Sequence, residues 1–327
     1  MDAVKDLALR LLEREPPPGP VMDPALYVAG SLPGLLAALA KPGGRADGPA
    51  LGSLCLKYAH AYVHPDRIGQ DVSLEAVTEL AGQFVRRRGG CRSLAGRDGL
   101  RRLLLHHGFA LQMLFDLPKT VHLLTALGAA ASRVLAGEGF LGLDCGAGTG
   151  ILLLGQYLLA GQLGVAAPSL WGIEHLPPVA ARADDLLSAL GVGRVLCGDA
   201  TASAIYNNFP QGPVACLTNE TLPSRGRRLY KEPFTAICQA LFAALGDRLG
   251  DTAFVPEAVW AVDRAGEWLR LAPENAFAGD DGQGKPARLF AMADVELAGR
   301  RLPADRVGEP FADLLAPAWR EVLGRRW

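Results

Sequence analysis

Charge of one sign is what this chain of 327 residues has least of: 33 Lys and Arg are set against 34 Asp and Glu, a formal charge of −1. Without a basic excess, nucleic acid is not an expected partner. Cysteine is sparse and scattered, six residues with no C-x-x-C pair and no paired histidine spacing. That excludes a zinc framework and a disulfide scaffold, so no metal is expected and a reducing cytoplasm fits. Long apolar runs are missing too. The longest, from Ile151 to Val165, is interrupted by Gln156 and Gln162 and falls short of the roughly 20 residues a membrane span needs. The opening MDAVKDLALRLLEREPPPGP carries early acidic residues and a stiff proline break. It reads as a short amphipathic helix rather than a secretion signal. No internal repeat and no low-complexity segment stands out.

Half of the residues are apolar, enough to bury the core of two domains or of one elaborated domain. The most informative stretch is LGLDCGAGTG, from Leu141 to Gly150. An apolar run ending in Asp144 suits a parallel strand covered on both faces. Gly146, Gly148 and Gly150 then allow a sharp turn and a close approach of ligand to bare backbone. The following ILLLGQYLLAG reads as a helix whose first N–H groups and dipole face that turn.

Three further apolar runs follow in order, each closing on a polar residue. LWGIEH carries Glu174, at the spacing of a β–α–β unit whose second strand presents a carboxylate to ribose hydroxyls. VLCGDAT carries Asp199 beside Ala200, and VACLTNE ends in Asn219 and Glu220. Open α/β sheets bind ligands at the carboxyl ends of their strands, so these groups belong to one candidate site.

The order D-C-G-A-G-T-G, then Glu174, then G-D-A resembles the class I S-adenosylmethionine-dependent methyltransferases. A nicotinamide-binding domain has G-x-G-x-x-G, whereas here the acid precedes the first glycine in D-x-G-x-G-x-G. The resemblance implies that Gly146, Gly148 and Gly150 line S-adenosylmethionine, with Asp144 at the turn or the methionine arm. It also implies Glu174 at the ribose and Asp199 with Ala200 at the adenine. Upstream, MLFDLPKT (Met113–Thr120) resembles the segment that closes over the cofactor in protein arginine methyltransferases, and the likeness runs from about Met113 to Pro256. Lys119 stands where that family has an arginine for the cofactor carboxylate. TNETLPSRGRR has no clear second glutamate, no Thr-His-Trp motif follows, and no histidine lies beyond His175. Methylation of protein arginine is therefore not expected.

The expected fold is α/β, a Rossmann-like seven-stranded methyltransferase sheet with an N-terminal helical cap. Residues 1–115 form the cap or accessory region and 116–327 the S-adenosylmethionine-binding domain. Helical spacing marks Ala3–Glu13, Pro24–Ala40, Leu54–Val63, Leu74–Arg87, Leu100–Phe115 and Thr120–Ala136. FVPEAVWAVDR and ARLFAMADVELAG look like strands, and FADLLAPAWREVL looks like a final helix. A helical cap predicts an enclosed pocket for a small molecule, though such helices serve equally well to form a homodimer.

Each candidate side chain has a plainer reading beside the functional one. Asn219 and Glu220 suit acceptor handling or a helix cap, and Tyr206, Asn207 and Asn208 suit a ligand loop or ordinary turn chemistry. Lys119 is a cofactor contact or a solvated first-turn lysine. His106 and His107 are a pocket base or a helix-surface pair, and His175 stacks near adenosine or is merely exposed. Trp171 reads as core, Cys145 as a space-filler, and the arginines of 86–92 and 97–102 as solvated helix ends.

Two reactions fit. In the first, a small-molecule methyltransferase, Asn219 and Glu220 orient or deprotonate an amine or hydroxyl acceptor. In the second, a lyase or cyclase, the partner is S-adenosylmethionine alone. The amine of its aminobutyrate arm attacks the γ-carbon; nicotianamine-type and azetidine-2-carboxylate synthases likewise attack the carbon next to sulfur and release methylthioadenosine. Tyr206, Asn207 and Asn219 would then hold that arm folded. A non-catalytic module is the third reading, opposed by the intact Asp144, glycine turn, Glu174 and Asp199.

Overall fold

The computed structural model describes residues 24–39, 48–63, 107, 110–111, 113–114, 117–134, 139–222, 233–273 and 291–303. The helices expected at Ala3–Glu13 and Leu74–Arg87, the C-terminal helix, His106 and both arginine clusters lie outside them.

Five short strands form a parallel sheet. They are β1 (Leu141–Cys145), β2 (Ser169–Glu174), β3 (Arg194–Cys197), β4 (Val214–Asn219) and β5 (Ala253–Val255), in the order β3-β2-β1-β4-β5. Every residue of β1 is buried, as expected of a central parallel strand with helices on both faces.

The N-terminal segment supplies α1 (Pro24–Ala29), α2 (Leu32–Leu39), α3 (Gly48–Val63) and α4 (Leu117–Ala129). The single helix expected at Pro24–Ala40 is two, broken at Gly30 and Ser31. Pro33 lacks an N–H and is tolerated only in a first helical turn, so a new helix starts beside it. After β1 comes α5 (Ile151–Gln162), after β2 comes α6 (Pro177–Ala189), and α7 (Phe234–Leu245) precedes β5. Helix α5 touches α2 and α4, and α6 touches α1 and α3. Side chains of α1–α4 and of the sheet's helices thus share one apolar core. Among the described residues no helix is long and apolar enough to cross a membrane.

Among the described residues the parallel sheet has five strands where seven were expected. A separate antiparallel sheet, β7-β6-β8-β9, is built from β6 (Ala258–Val262), β7 (Trp268–Leu271), β8 (Ala291–Leu297) and β9 (Arg300–Pro303). The two strand-like runs of the sequence supply β6 and β8, and β7 and β9 have no counterpart among the expected runs. Chain length gives the reason that β6 is not a parallel neighbour of β5. A parallel neighbour needs a crossover of about a dozen residues, but only Pro256 and Glu257 separate β5 from β6. Likewise β6 turns straight into β7, where Asp263 Oδ1 accepts the N–H groups of Ala265 and Glu267, each at 2.8 Å.

Candidate functional site

Strand order reverses at β1, with β2 and β3 on one side and β4 and β5 on the other. The loops leaving β1 and β4 diverge there and open a crevice at the carboxyl edge of the sheet. All the polar strand ends expected from the sequence lie along that edge, since the strands are parallel.

The turn after β1 is built on glycine for a measurable reason. Gly146, Gly148 and Gly150 have φ of 72°, 54° and 80°, the left-handed region that penalises a Cβ. At Gly150 a Cβ would also come within 2.5 Å of Leu187 Cδ1. The N–H groups of Gly146 and Ala147 both donate to the Ile173 carbonyl at 2.9 Å, tying the turn to β2. The Glu174 carboxylate, 5% exposed, accepts the Gly148 N–H at 3.0 Å and the Leu176 N–H at 2.8 Å. Exposed His175 brings Nδ1 to 3.2 Å from that carboxylate.

Asp144 is 1% exposed. Its Oδ1 accepts the Thr218 hydroxyl at 2.6 Å, while its Oδ2 is buried with no hydrogen-bond partner. Burial pushes this carboxyl up to about 7, reinforced by Glu220 and Glu174 and opposed by the Thr218 hydrogen bond. A buried polar atom without a partner is uncommon and suits a ligand donor.

Lys119 of α4 and Glu220, just past β4, form an ion pair between two largely buried side chains. Met113 Sδ also accepts from the lysine at 3.3 Å. Burial raises the Glu220 carboxyl, and Lys119 offsets part of that rise. Residues 101 positions apart, matched to different roles in the sequence, are thereby one unit.

Asp199 is exposed and held below its usual range by Thr201. Its Oδ1 accepts the Thr201 hydroxyl at 2.7 Å and N–H at 2.8 Å, which fixes the turn around buried Ala200. Tyr206 is 1% exposed and donates its hydroxyl to the Ala200 carbonyl at 2.6 Å, so it braces this turn from within. Asn207 is exposed on the same short 3-10 helix. Buried Asn219 turns Oδ1 onto the Thr221 hydroxyl at 2.6 Å, the local bonding that favours asparagine at turns. The structure therefore brings Asp144, Glu174, Lys119, Glu220 and the glycines to one edge. It gives Tyr206 and Asn219 loop-holding bonds. Trp171 sits half-buried, edge-on to Phe209 at 5.8 Å.

Several contributors escaped the sequence reading. The Tyr58 hydroxyl of α3 donates to the Thr149 carbonyl in the glycine turn at 2.5 Å. A Cβ on Gly148 would meet Ala110 Cβ at 3.6 Å, so the N-terminal segment lies directly over the cradle. Arg182 of α6 donates to the carbonyls of Ala61 and Tyr62 at 2.6 and 2.9 Å, a cation at the end of α3. His107, read from the sequence as a pocket base or part of a helix-surface pair, is buried and places Nδ1 3.0 Å from the Tyr62 hydroxyl. Tyr58, Ala110 and Arg182 have no signal at fixed spacing. Gln156 had one, as a lone amide in an apolar helix: it is 0% exposed and reaches into the sheet. Among the described residues no group of three or more His, Cys, Asp and Glu could hold a metal ion.

No protein-family model matches the chain, and no curated protein matches it. Several chains of solved structures do. One is the Trypanosoma brucei PRMT1 enzyme–prozyme heterotetrameric complex with AdoHcy, with 20% identity over 49% of this chain and 45% of that one, TM-score 0.37. Another is the mitomycin 7-O-methyltransferase MmcR, with 18% identity over 64% and 54%, TM-score 0.30. A single-residue variant of MtNAS aligns over 90% of this chain and 96% of its own, with 12% identity and TM-score 0.30. The chain spans about half the length of the first two.

Proposed function

We propose that this chain is an S-adenosylmethionine-dependent enzyme and that its reaction is methyl transfer to a small molecule. One observation carries the reading. Three left-handed glycines stand between a buried carboxylate with an unpartnered oxygen, Asp144, and a second carboxylate, Glu174, on the Gly148 N–H.

These residues fit the group. Gly146, Gly148 and Gly150 leave backbone bare for close approach, Glu174 accepts from ribose hydroxyls, and the Asp199–Ala200 turn meets the base. Asp144 and Lys119 take the charged ends of the amino-acid arm. When bound, S-adenosylmethionine supplies a methyl group already activated by its sulfonium, so the protein's task is to position an acceptor. Glu220, raised by burial, accepts the acceptor's proton, since a carboxyl nearer neutrality is the better base. The described helices α1–α3 act as the cap, supported by the bond from Tyr58 to Thr149 and by Ala110 over Gly148.

That enclosure also favours the second reading, attack by the ligand's own amine on its γ-carbon. Purified protein incubated with S-adenosylmethionine alone, followed by mass spectrometry, separates them. Bound but intact S-adenosylmethionine is expected for methyl transfer. Methylthioadenosine with a four-carbon amino-acid product would establish the second reading, and absence of binding would remove both. Once an acceptor turns over, Glu220→Gln is expected to slow it on the order of a hundredfold.

A further inference from the structure

We propose that Gln156 and Thr218 are positioning residues for Asp144, a one-way chain of hydrogen bonds that leaves Oδ2 open to a cationic group of the ligand. The nature of that ligand rests on the S-adenosylmethionine reading; the chain itself does not.

The direction of the chain follows from donor chemistry. The Gln156 amide nitrogen only donates, and it reaches the Leu143 carbonyl at 2.8 Å and the Thr218 hydroxyl oxygen at 2.9 Å. Thr218 therefore cannot donate to Gln156, and its single proton has two acceptors in reach. The Leu143 carbonyl lies at 3.4 Å and Asp144 Oδ1 at 2.6 Å. The shorter, charge-assisted contact wins. One oxygen of Asp144 is thereby occupied while Oδ2 stays without a partner.

The sequence makes room for this arrangement at a cost. Gly142 sits mid-strand in β1, where glycine weakens a sheet, yet any Cβ there would overlap Gln156 Oε1. The amide itself is fully buried and its Oε1 lacks a partner. An apolar side chain on α5 would avoid both penalties, so packing alone does not account for Gln156.

Electrostatics explains what the chain is for. Glu220 after β4, Glu174 on β2 and the Tyr58 phenol of α3 all face Asp144. The buried thiols of Cys145 and Cys216 stand nearby, and Lys119 on α4 pairs with Glu220. Burial, Glu220 and Glu174 drive the carboxyl towards its neutral form, which attracts no cation. The Thr218 bond is the influence that favours the charged form.

The test uses the full chain and the variants T218V, T218S and Q156M. Asp144 is titrated by carboxyl-carbon NMR in ligand-free protein, its signal identified by loss in D144N. Binding of S-adenosylmethionine is measured in parallel by calorimetry from acid to alkaline pH. T218V is expected to move the Asp144 midpoint up by about one unit and weaken binding near neutrality about fivefold. T218S is expected to restore both. Q156M frees the hydroxyl to turn to the Leu143 carbonyl and is expected to give a smaller shift in the same direction. An unmoved midpoint in folded T218V would overturn the proposal; should T218V not fold, an unmoved midpoint in Q156M would do so. A midpoint that moves in a protein binding no S-adenosylmethionine would leave the chain standing and remove the functional reading.

Discussion

In the parallel sheet the polar side chains of β1 and β4, Asp144, Thr218 and Asn219, are buried, and Asp144 Oδ2 has no partner. In the antiparallel sheet charged side chains pair with one another, Glu296 half-buried and Asp294 buried. Arg270 grips Glu296 with two bonds of 2.8 and 2.9 Å. Arg301 reaches Asp294 at 2.5 Å and lies 4.2 and 3.9 Å from the Trp260 and Trp268 rings. A buried group left open is costly and, at the carboxyl edge of a parallel sheet, suits a ligand donor. Charged groups that satisfy one another need no ligand, and the exposed Arg270–Glu296 pair adds little. The contrast separates a site from a well-dressed sheet face.

Asp144 should show the largest effect. With its carboxyl raised from 3.8 to about 7, the native state keeps a proton that the unfolded chain has lost between those values. Stability therefore falls as pH rises through that window, by up to about 4 kcal/mol. Urea unfolding across that range checks the slope, and Asp144→Asn is expected to flatten it. If the slope persists in the variant, Asp144 is not its source and the contrast between the sheets weakens.

Gly142→Ala tests whether the interior of the parallel sheet is as tightly fitted as Gln156 implies. Its Cβ would overlap Gln156 Oε1 and approach Leu170 Cδ2 to 2.6 Å. A loss of about 1–3 kcal/mol is expected in denaturant titration, larger than any single surface change. Smallest of all is Glu296→Gln, which removes a carboxylate shared by Arg270 and Trp260. The expected loss is below about 1 kcal/mol, and it should shrink further in high salt. A loss matching that of Gly142→Ala would mean that the antiparallel face is under the same constraint as the core.

Much of the fold was legible because its signals are local. An apolar run, three glycines and a second apolar run mark β1, the turn and α5 within a few residues of each other. Two strands of the second sheet, β6 and β8, were legible as strands, whereas β7, β9 and all the pairings were not. Alternation shows that a segment is extended, without showing which edge it joins, and the two-residue link after β5 excludes only a parallel β6 beside it. The split of the expected first helix turned on one proline, Pro33, whose effect depends on where in the helix it falls.

Within the candidate site the same division holds. Chain order alone placed Asp144, Glu174, Asp199 and Glu220 at the carboxyl ends of successive strands, because a parallel sheet points those ends one way. The pairing of Lys119 with Glu220, the Tyr58 hydroxyl on Thr149 and the reach of Gln156 to Thr218 join residues between 62 and 101 positions apart. Short-range pattern carries glycine turns and strand ends, since backbone conformation and burial period are set by neighbours. Which buried polar groups meet, and which is left without a partner, depends on how helices and strands pack, and that emerges only in three dimensions.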